Sequence, residues 1–238
     1  MSILGIDGVS CRFGGLLANN DISFDVPEGA IVGLIGPNGA GKSTLFSIVA
    51  GDRRPTSGRL RFAGRDVTGW RSHEAARAGV GRTFQLMRVF GSMTVLENLT
   101  AAAFLRHRRR RDAQRRAAEV LEEVGLAGLA DAPAASLTAG RKKRLEMARA
   151  VAVEPRLLLL DEVLSGLTPA EANDAVAIVR RLNERGITIL MVEHVMEIIM
   201  PLCDEVVVLD HGEKISSGRP ADVVKDPAVI EAYLGRPA

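Results

Sequence analysis

Gly36-Pro37-Asn38-Gly39-Ala40-Gly41-Lys42-Ser43-Thr44 is the stretch on which the rest of this sequence turns. It fits the pattern G-x-x-x-x-G-K-[ST], with Gly36, Gly41, Lys42 and Ser43 at the fixed positions. The apolar residues 30–35 before it suit a buried strand, and residues 44–50 after it suit a helix stopped by Gly51. Glycines at this spacing let the backbone curl until several N–H groups face one anion, and a helix N-terminus adds partial positive charge. Lys42 can then reach the outer phosphates of a nucleotide, and Ser43 can offer its hydroxyl to Mg²⁺.

Working outward, the 238 residues suffice for one large domain or two small ones, and 47% apolar residues can build a sizeable core. A net charge of +2 does not by itself point to nucleic acid. The longest apolar runs, such as 157–160 and 187–192, fall far short of the ~20 residues that span a bilayer. The start has no charged, then long apolar, secretion signal. Cys11 and Cys203 match no metal spacing and read as two buried thiols. The expectation is a soluble cytosolic protein whose membrane contact comes through a partner.

Residues 3–30 read as strands and turns, and 59–63 as a short strand. Residues 72–79 form a short helix ended by Gly79. Helical patterns cover 94–106 and 114–124, then 136–152 as loop and helix. Between the first two, residues 106–116 hold seven arginines against one acid, Asp112. Such a run can bind phosphate, lipid headgroups or an acidic loop, or be a solvated helix end. Strands at 157–160, 187–192 and 206–209, a helix at 169–185 and a helical tail at 220–234 complete the pattern. Strands alternating with helices in the first and last thirds argue for a mostly parallel sheet covered on both faces, with the helical middle as an insertion.

Ligands in such sheets sit at the carboxyl ends of strands. Asp161, ending the 157–160 strand, would then stand beside the phosphate loop, where a carboxylate can hold Mg²⁺ through water. Glu162 can polarise a water aimed at the γ-phosphate. His194 ends the next predicted strand and can hydrogen-bond that phosphate and water. Phe13, between Arg12 and Gly14-Gly15, is either a ring for adenine to stack on or a core residue.

The order of these pieces resembles the ATP-binding subunits of ABC transporters over essentially the whole chain. The resemblance rests on the phosphate loop, Gln85, the helical insert, Leu137-Thr138-Ala139-Gly140-Arg141, Asp161-Glu162 and His194. It implies an α/β fold: a P-loop NTPase (ABC ATPase) core with a mostly parallel sheet, an N-terminal antiparallel β subdomain and an inserted helical subdomain. One domain would cover 1–238, with the core in 1–85 and 153–220, helical residues in 86–152 and a tail in 221–238. Gln85 would touch Mg²⁺ along with Ser43 and Asp161. Residues 137–141 would be the signature loop that closes on ATP held by the other protomer, and 165–168 the loop crossing between sites. Phe13 would stack on adenine.

Arg82-Thr83-Phe84-Gln85, Met93-Thr94-Val95-Leu96-Glu97-Asn98-Leu99, Arg144-Leu145-Glu146-Met147-Ala148-Arg149-Ala150, Val192-Glu193-His194 and Ala232-Tyr233-Leu234-Gly235 are similar to ATPases of high-affinity branched-chain amino-acid importers. Urea and amide importers share much of this. The implied partners are a second ATPase in a homodimer or heterodimer, two transmembrane permeases and, indirectly, a periplasmic binding protein. The place is the cytoplasmic face of the inner membrane, the cofactors are ATP and Mg²⁺, and no nucleic-acid partner is expected. A lipid or lipopolysaccharide exporter ATPase, a small-molecule kinase and a non-transport ATPase on nucleic acid are the alternatives. Thr138-Ala139-Gly140-Arg141 stands where the family usually has Ser-Gly-Gly-Gln, Val163 where it has Pro, and Thr168 where it has Asp or Asn. Arg141 with Lys142, Lys143 and Arg144 sets four cations at a helix N-terminus, unfavourable by ~0.3–1 kcal/mol each unless an anion is near. That anion is expected to be the partner's ATP.

Overall fold

The computed structural model describes residues 1–83 and 89–234. Two strands of twelve residues, β1 (Ser2–Phe13) and β2 (Leu16–Pro27), form a hairpin. Strand β3 (Ile31–Ile35) leads through the phosphate loop into α1 (Lys42–Val49). Strands β4 (Ser57–Phe62) and β5 (Arg65–Asp66) then join the hairpin in an antiparallel sheet of order β2-β1-β4-β5. Helix α2 (Ser72–Ala78) ends at Gly79, whose φ of 111° closes the turn as a left-handed glycine does.

Strand β6 (Val80–Arg82) precedes the helical insert of α3 (Val95–Ala103), α4 (Arg110–Glu123) and α5 (Ala139–Ala152). Helix α3 starts in a capping box: Thr94 Oγ1 accepts from the Glu97 amide, and Glu97 answers on the Thr94 amide. Helix α4 begins four residues before the expected start, inside the arginine run, because straight-chain arginines are good helix formers.

After the insert come β7 (Leu157–Asp161), α6 (Pro169–Glu184), β8 (Thr188–Val192), α7 (Met196–Leu202), β9 (Glu205–Asp210), β10 (Glu213–Gly218), α8 (Pro220–Val223) and α9 (Pro227–Leu234). The second sheet has the order β10-β9-β3-β8-β7-β6, parallel throughout except for the β9–β10 hairpin. Every residue of β3, β7 and β8 is buried, as strands covered on both faces require. Alternation assigns the faces. Leu158, Leu160, Ile189 and Met191 pack with α5 and α6, whereas Leu157, Leu159, Leu190 and Val192 pack toward α1 and the antiparallel sheet. Cys11 and Cys203 are free, buried thiols. Among the described residues no helix is long and apolar enough to cross a membrane.

Candidate active site

Strand register assembles the site. Leu34 on β3 is level with Val192 on β8, and Val192 is level with Asp161 on β7. The three strands therefore end together, and the phosphate loop, Asp161-Glu162 and Glu193-His194 emerge along one edge, where parallel sheets present ligands.

The loop is shaped by two crowded glycines. At Gly36, with φ 143°, a Cβ would run into the Leu209 carbonyl, and at Gly41, with φ 97°, into the Ala18 carbonyl. The Asn19 side chain, fully buried, donates to the Gly41 carbonyl at 3.1 Å and fixes the entry to α1. The first N–H groups of that helix have no intrahelical partner, which leaves them for an anion. Lys42 is buried and its Nζ donates to the Gly36 and Pro37 carbonyls at 2.7 and 2.8 Å. Burial pushes its pKa down, against the pull of Glu162 and Asp161.

Asp161 is 3% exposed. Its amide donates to Thr83 Oγ1 at 3.0 Å and its Oδ2 takes Arg82 Nη2 at 3.4 Å, while Arg82 Nη1 holds Asp52 at 2.6 Å. Burial raises the Asp161 carboxyl and the Arg82 guanidinium opposes that rise. Its Oδ1 is buried without a hydrogen-bond partner among the described residues. An acceptor left so costs stability unless a cation or water satisfies it, and in this setting it fits a hard divalent metal, which takes oxygen ligands.

Glu162 sits half-buried in the left-handed region at φ 51°, uncommon for a residue with a side chain and a mark of functional sites. Its amide donates to the Val192 carbonyl at 3.0 Å, which holds the bend. A cleft of about 580 Å³ joins Glu162 to Phe13, Asn38 and the rest of the loop through Thr44. Phe13 is 39% exposed, which rules out the core reading, and the Arg53 guanidinium lies 4.0 Å from its ring centre. His194 is exposed, with its ring nitrogens 3.4 and 3.5 Å from Ser165 Oγ. It is outside the cleft lining, as is the whole 137–141 loop. Gln85 lies outside the described residues.

Two contacts here carry no signal in the sequence pattern. Glu193 is 1% exposed, and its Oε1 accepts the Leu164 amide at 2.8 Å. Burial pushes this carboxyl up to about 7. Lys143 donates from α5 to the carbonyls of Glu162, at 3.2 Å, and Ser165. Three of the four expected cations are thereby placed. Lys143 is spent on these carbonyls, Arg144 pairs with Asp174 at 3.1 Å, and the charge of Arg141 acts on Glu171 of α6. Thr138 caps α5 by accepting the Arg141 amide at 3.3 Å, and Thr168 caps α6 in a capping box with Glu171.

Residues 19–165 match the family model described as ABC transporter. The chain belongs to the ABC transporter family. Its fold is that of the family's cassette ATPase, with the parallel core, the antiparallel β subdomain and the helical insert seen above. Residues 213–238 match a second model, Branched-chain amino acid ATP-binding cassette transporter. The cassette is 41% identical to the high-affinity branched-chain amino acid transport ATP-binding protein BraF of Pseudomonas aeruginosa, over 98% of both chains. It is 39% identical to LivG of Salmonella typhimurium, a protein of the same description, again over 98% of both. Among solved structures, the ADP conformation of the cassette MJ1267 superposes with a TM-score of 0.90 at 32% identity, covering 99% of this chain and 100% of that one. As a family ATPase, the chain binds and hydrolyses ATP.

Proposed function

We infer that this cassette drives import of branched-chain amino acids, or close relatives of them, from the cytoplasmic face of the cell membrane. The observation that carries the chemistry is the cleft in which the phosphate loop, Glu162 and the exposed Phe13 ring meet. The C-terminal match at 213–238 and the likeness to BraF support the cargo and weigh against an exporter.

In this reading Phe13 stacks on adenine, and the loop residues Gly36, Pro37, Asn38, Gly39, Ala40, Gly41, Lys42, Ser43 and Thr44 hold the phosphates through backbone N–H groups and the Lys42 ammonium. Ser43 and Asp161 would hold Mg²⁺, with Gln85 as a further candidate; when bound, the ion neutralises charge on the phosphate oxygens. Glu162 orients and deprotonates the attacking water, and His194 donates toward the γ-phosphate. The loop Leu137-Thr138-Ala139-Gly140-Arg141, anchored by the buried Leu137 and exposed at Thr138, Ala139 and Arg141, completes the site of a second cassette, so the working unit is a homodimer or heterodimer docked on two permeases served by a solute-binding protein. A groove of about 380 Å³ between core and insert, lined by Asp52, Ala76, Ala102, Glu146, Arg149 and Val153, offers the permease a seat.

Glu162→Gln is expected to bind ATP and lose hydrolysis by at least ~10²-fold. Purified from detergent-solubilised membranes with ATP, it should bring down permeases. Near-normal turnover would remove Glu162 from the base role, and recovery of no integral membrane protein would end the transport reading.

A further inference from the structure

The arginine run of residues 106–116 is divided by the structure into two groups. Arg106 is spent within the fold: its guanidinium donates to the Val153, Arg77 and Ala76 carbonyls at 3.0, 2.9 and 3.4 Å. Arg115 pairs with Asp112 and Glu119, and Arg116 with Glu119, Glu123 and Glu154. His107 Nε2 lies 3.0 Å from the same Oε1 of Glu154. The nearby acids are thus used up. Arg108, Arg109, Arg110 and Arg111 are all exposed, and none makes an ion pair or side-chain hydrogen bond among the described residues.

Directly before them, Phe104 and Leu105 stand 45% and 38% exposed where the chain leaves α3. Four unpaired guanidiniums beside two exposed apolar side chains fit one chemistry, an anionic bilayer surface. The cations meet headgroup phosphates while Phe104 and Leu105 enter the acyl boundary. A nucleic acid fits less well, because it gives the apolar pair no partner and is met by longer basic tracks. Location agrees. Arg106 is pinned to Ala76 and Val153, which line the groove offered to the permease, so the patch stands at the rim of that groove.

We propose that Phe104, Leu105 and Arg108 to Arg111 form a direct contact with anionic lipid headgroups. The inference rests on the transport reading for its setting, but not for its test. Purified full-length chain is sedimented with vesicles of phosphatidylcholine alone and with added phosphatidylglycerol, at low and high salt. Binding is expected only with phosphatidylglycerol and is expected to fall as salt rises. Replacing Arg108, Arg109, Arg110 and Arg111 together with Gln should weaken it at least ~10-fold and leave ATP hydrolysis at the wild-type rate. Phe104→Ser should weaken it further. Replacing the exposed Arg59, Arg61 and Arg65 with Gln removes similar charge from β4 and β5 and should leave binding unchanged. Equal binding to neutral vesicles, or equal binding by the Arg108–111 variant, would overturn the proposal. So would binding of a duplex oligonucleotide without vesicle binding, or retention on membranes only where permeases are present. None of these outcomes depends on whether permeases co-purify, which tests the transport reading separately.

Discussion

Replacing Glu193 with Gln is expected to flatten the pH dependence of this cassette's stability. The carboxyl is 1% exposed, and burial lifts its pKa from 4.5 to about 7, against the Leu164 amide and the charge of Lys143, which pull it down. Between those two values the folded protein keeps a proton that the unfolded chain has released. Stability therefore declines as pH rises through that window, and the decline is complete above the folded value. The full effect is about 3 kcal/mol. Gln still accepts the Leu164 amide but cannot ionise, so the variant lacks this decline. Urea unfolding from about pH 5 to about pH 8 should show the stability of the variant rising, relative to wild type, by ~2–3 kcal/mol across the series. Parallel curves for the two proteins would refute the argument, since they would mean that Glu193 titrates alike folded and unfolded.

At the phosphate loop, Gly36→Ala sets a methyl against the Leu209 carbonyl at a backbone angle only glycine enters freely. It is expected to cost ~2 kcal/mol or more and to abolish ATP binding, as calorimetry and a thermal melt would read; unchanged affinity would refute the crowding. Thr138→Ala removes the cap of α5 and is expected to cost ~1 kcal/mol, together with a weakening of ATP-driven dimerisation seen by light scattering. Unchanged stability would show that the cap is idle. Arg141→Gln should lower the salt sensitivity of that dimerisation, because it removes an exposed charge that would face the partner in the proposed dimer. No change would place the partner's ATP elsewhere.

How much of this was legible in the sequence follows from how local each feature is. The phosphate loop was, because its motif is complete within nine residues, although the carbonyls that crowd Gly36 and Gly41 belong to Leu209 and Ala18. The buried strands β7 and β8 were, read as 157–160 and 187–192, because strands covered on both faces are apolar without interruption. Strand β6 was not, being three residues long, and β10 was not, because Glu213, Lys214, Ser216 and Ser217 give an edge strand that reads as loop. Helix α7 escaped because Pro201 sits in its last turn. Within the site, the positions of Asp161 and Glu162 followed from the strand-end rule. The burial of Glu193 did not: an acid beside an exposed histidine reads as exposed too, until β8 turns its side chain inward. Likewise the fate of several side chains in 106–116 depended on partners up to 47 residues away in sequence, such as Glu154 for His107 and the Val153 carbonyl for Arg106.

The grip of Lys143 on the Glu162 and Ser165 carbonyls makes a mechanical unit of parts that look separate. Helix α5 carries, three turns apart at most, the cap residue Thr138 at one end and the wall of the groove, Glu146 and Arg149, further on. That helix packs on β7 through the core, and one ammonium on it reaches the peptide that carries Glu162, the carboxylate proposed to activate water. A displacement of α5 at the groove would therefore be felt at Glu162 both through the core that α5 shares with β7 and through the Lys143 ammonium. The peptide so held is the bent one, with Glu162 at φ 51°.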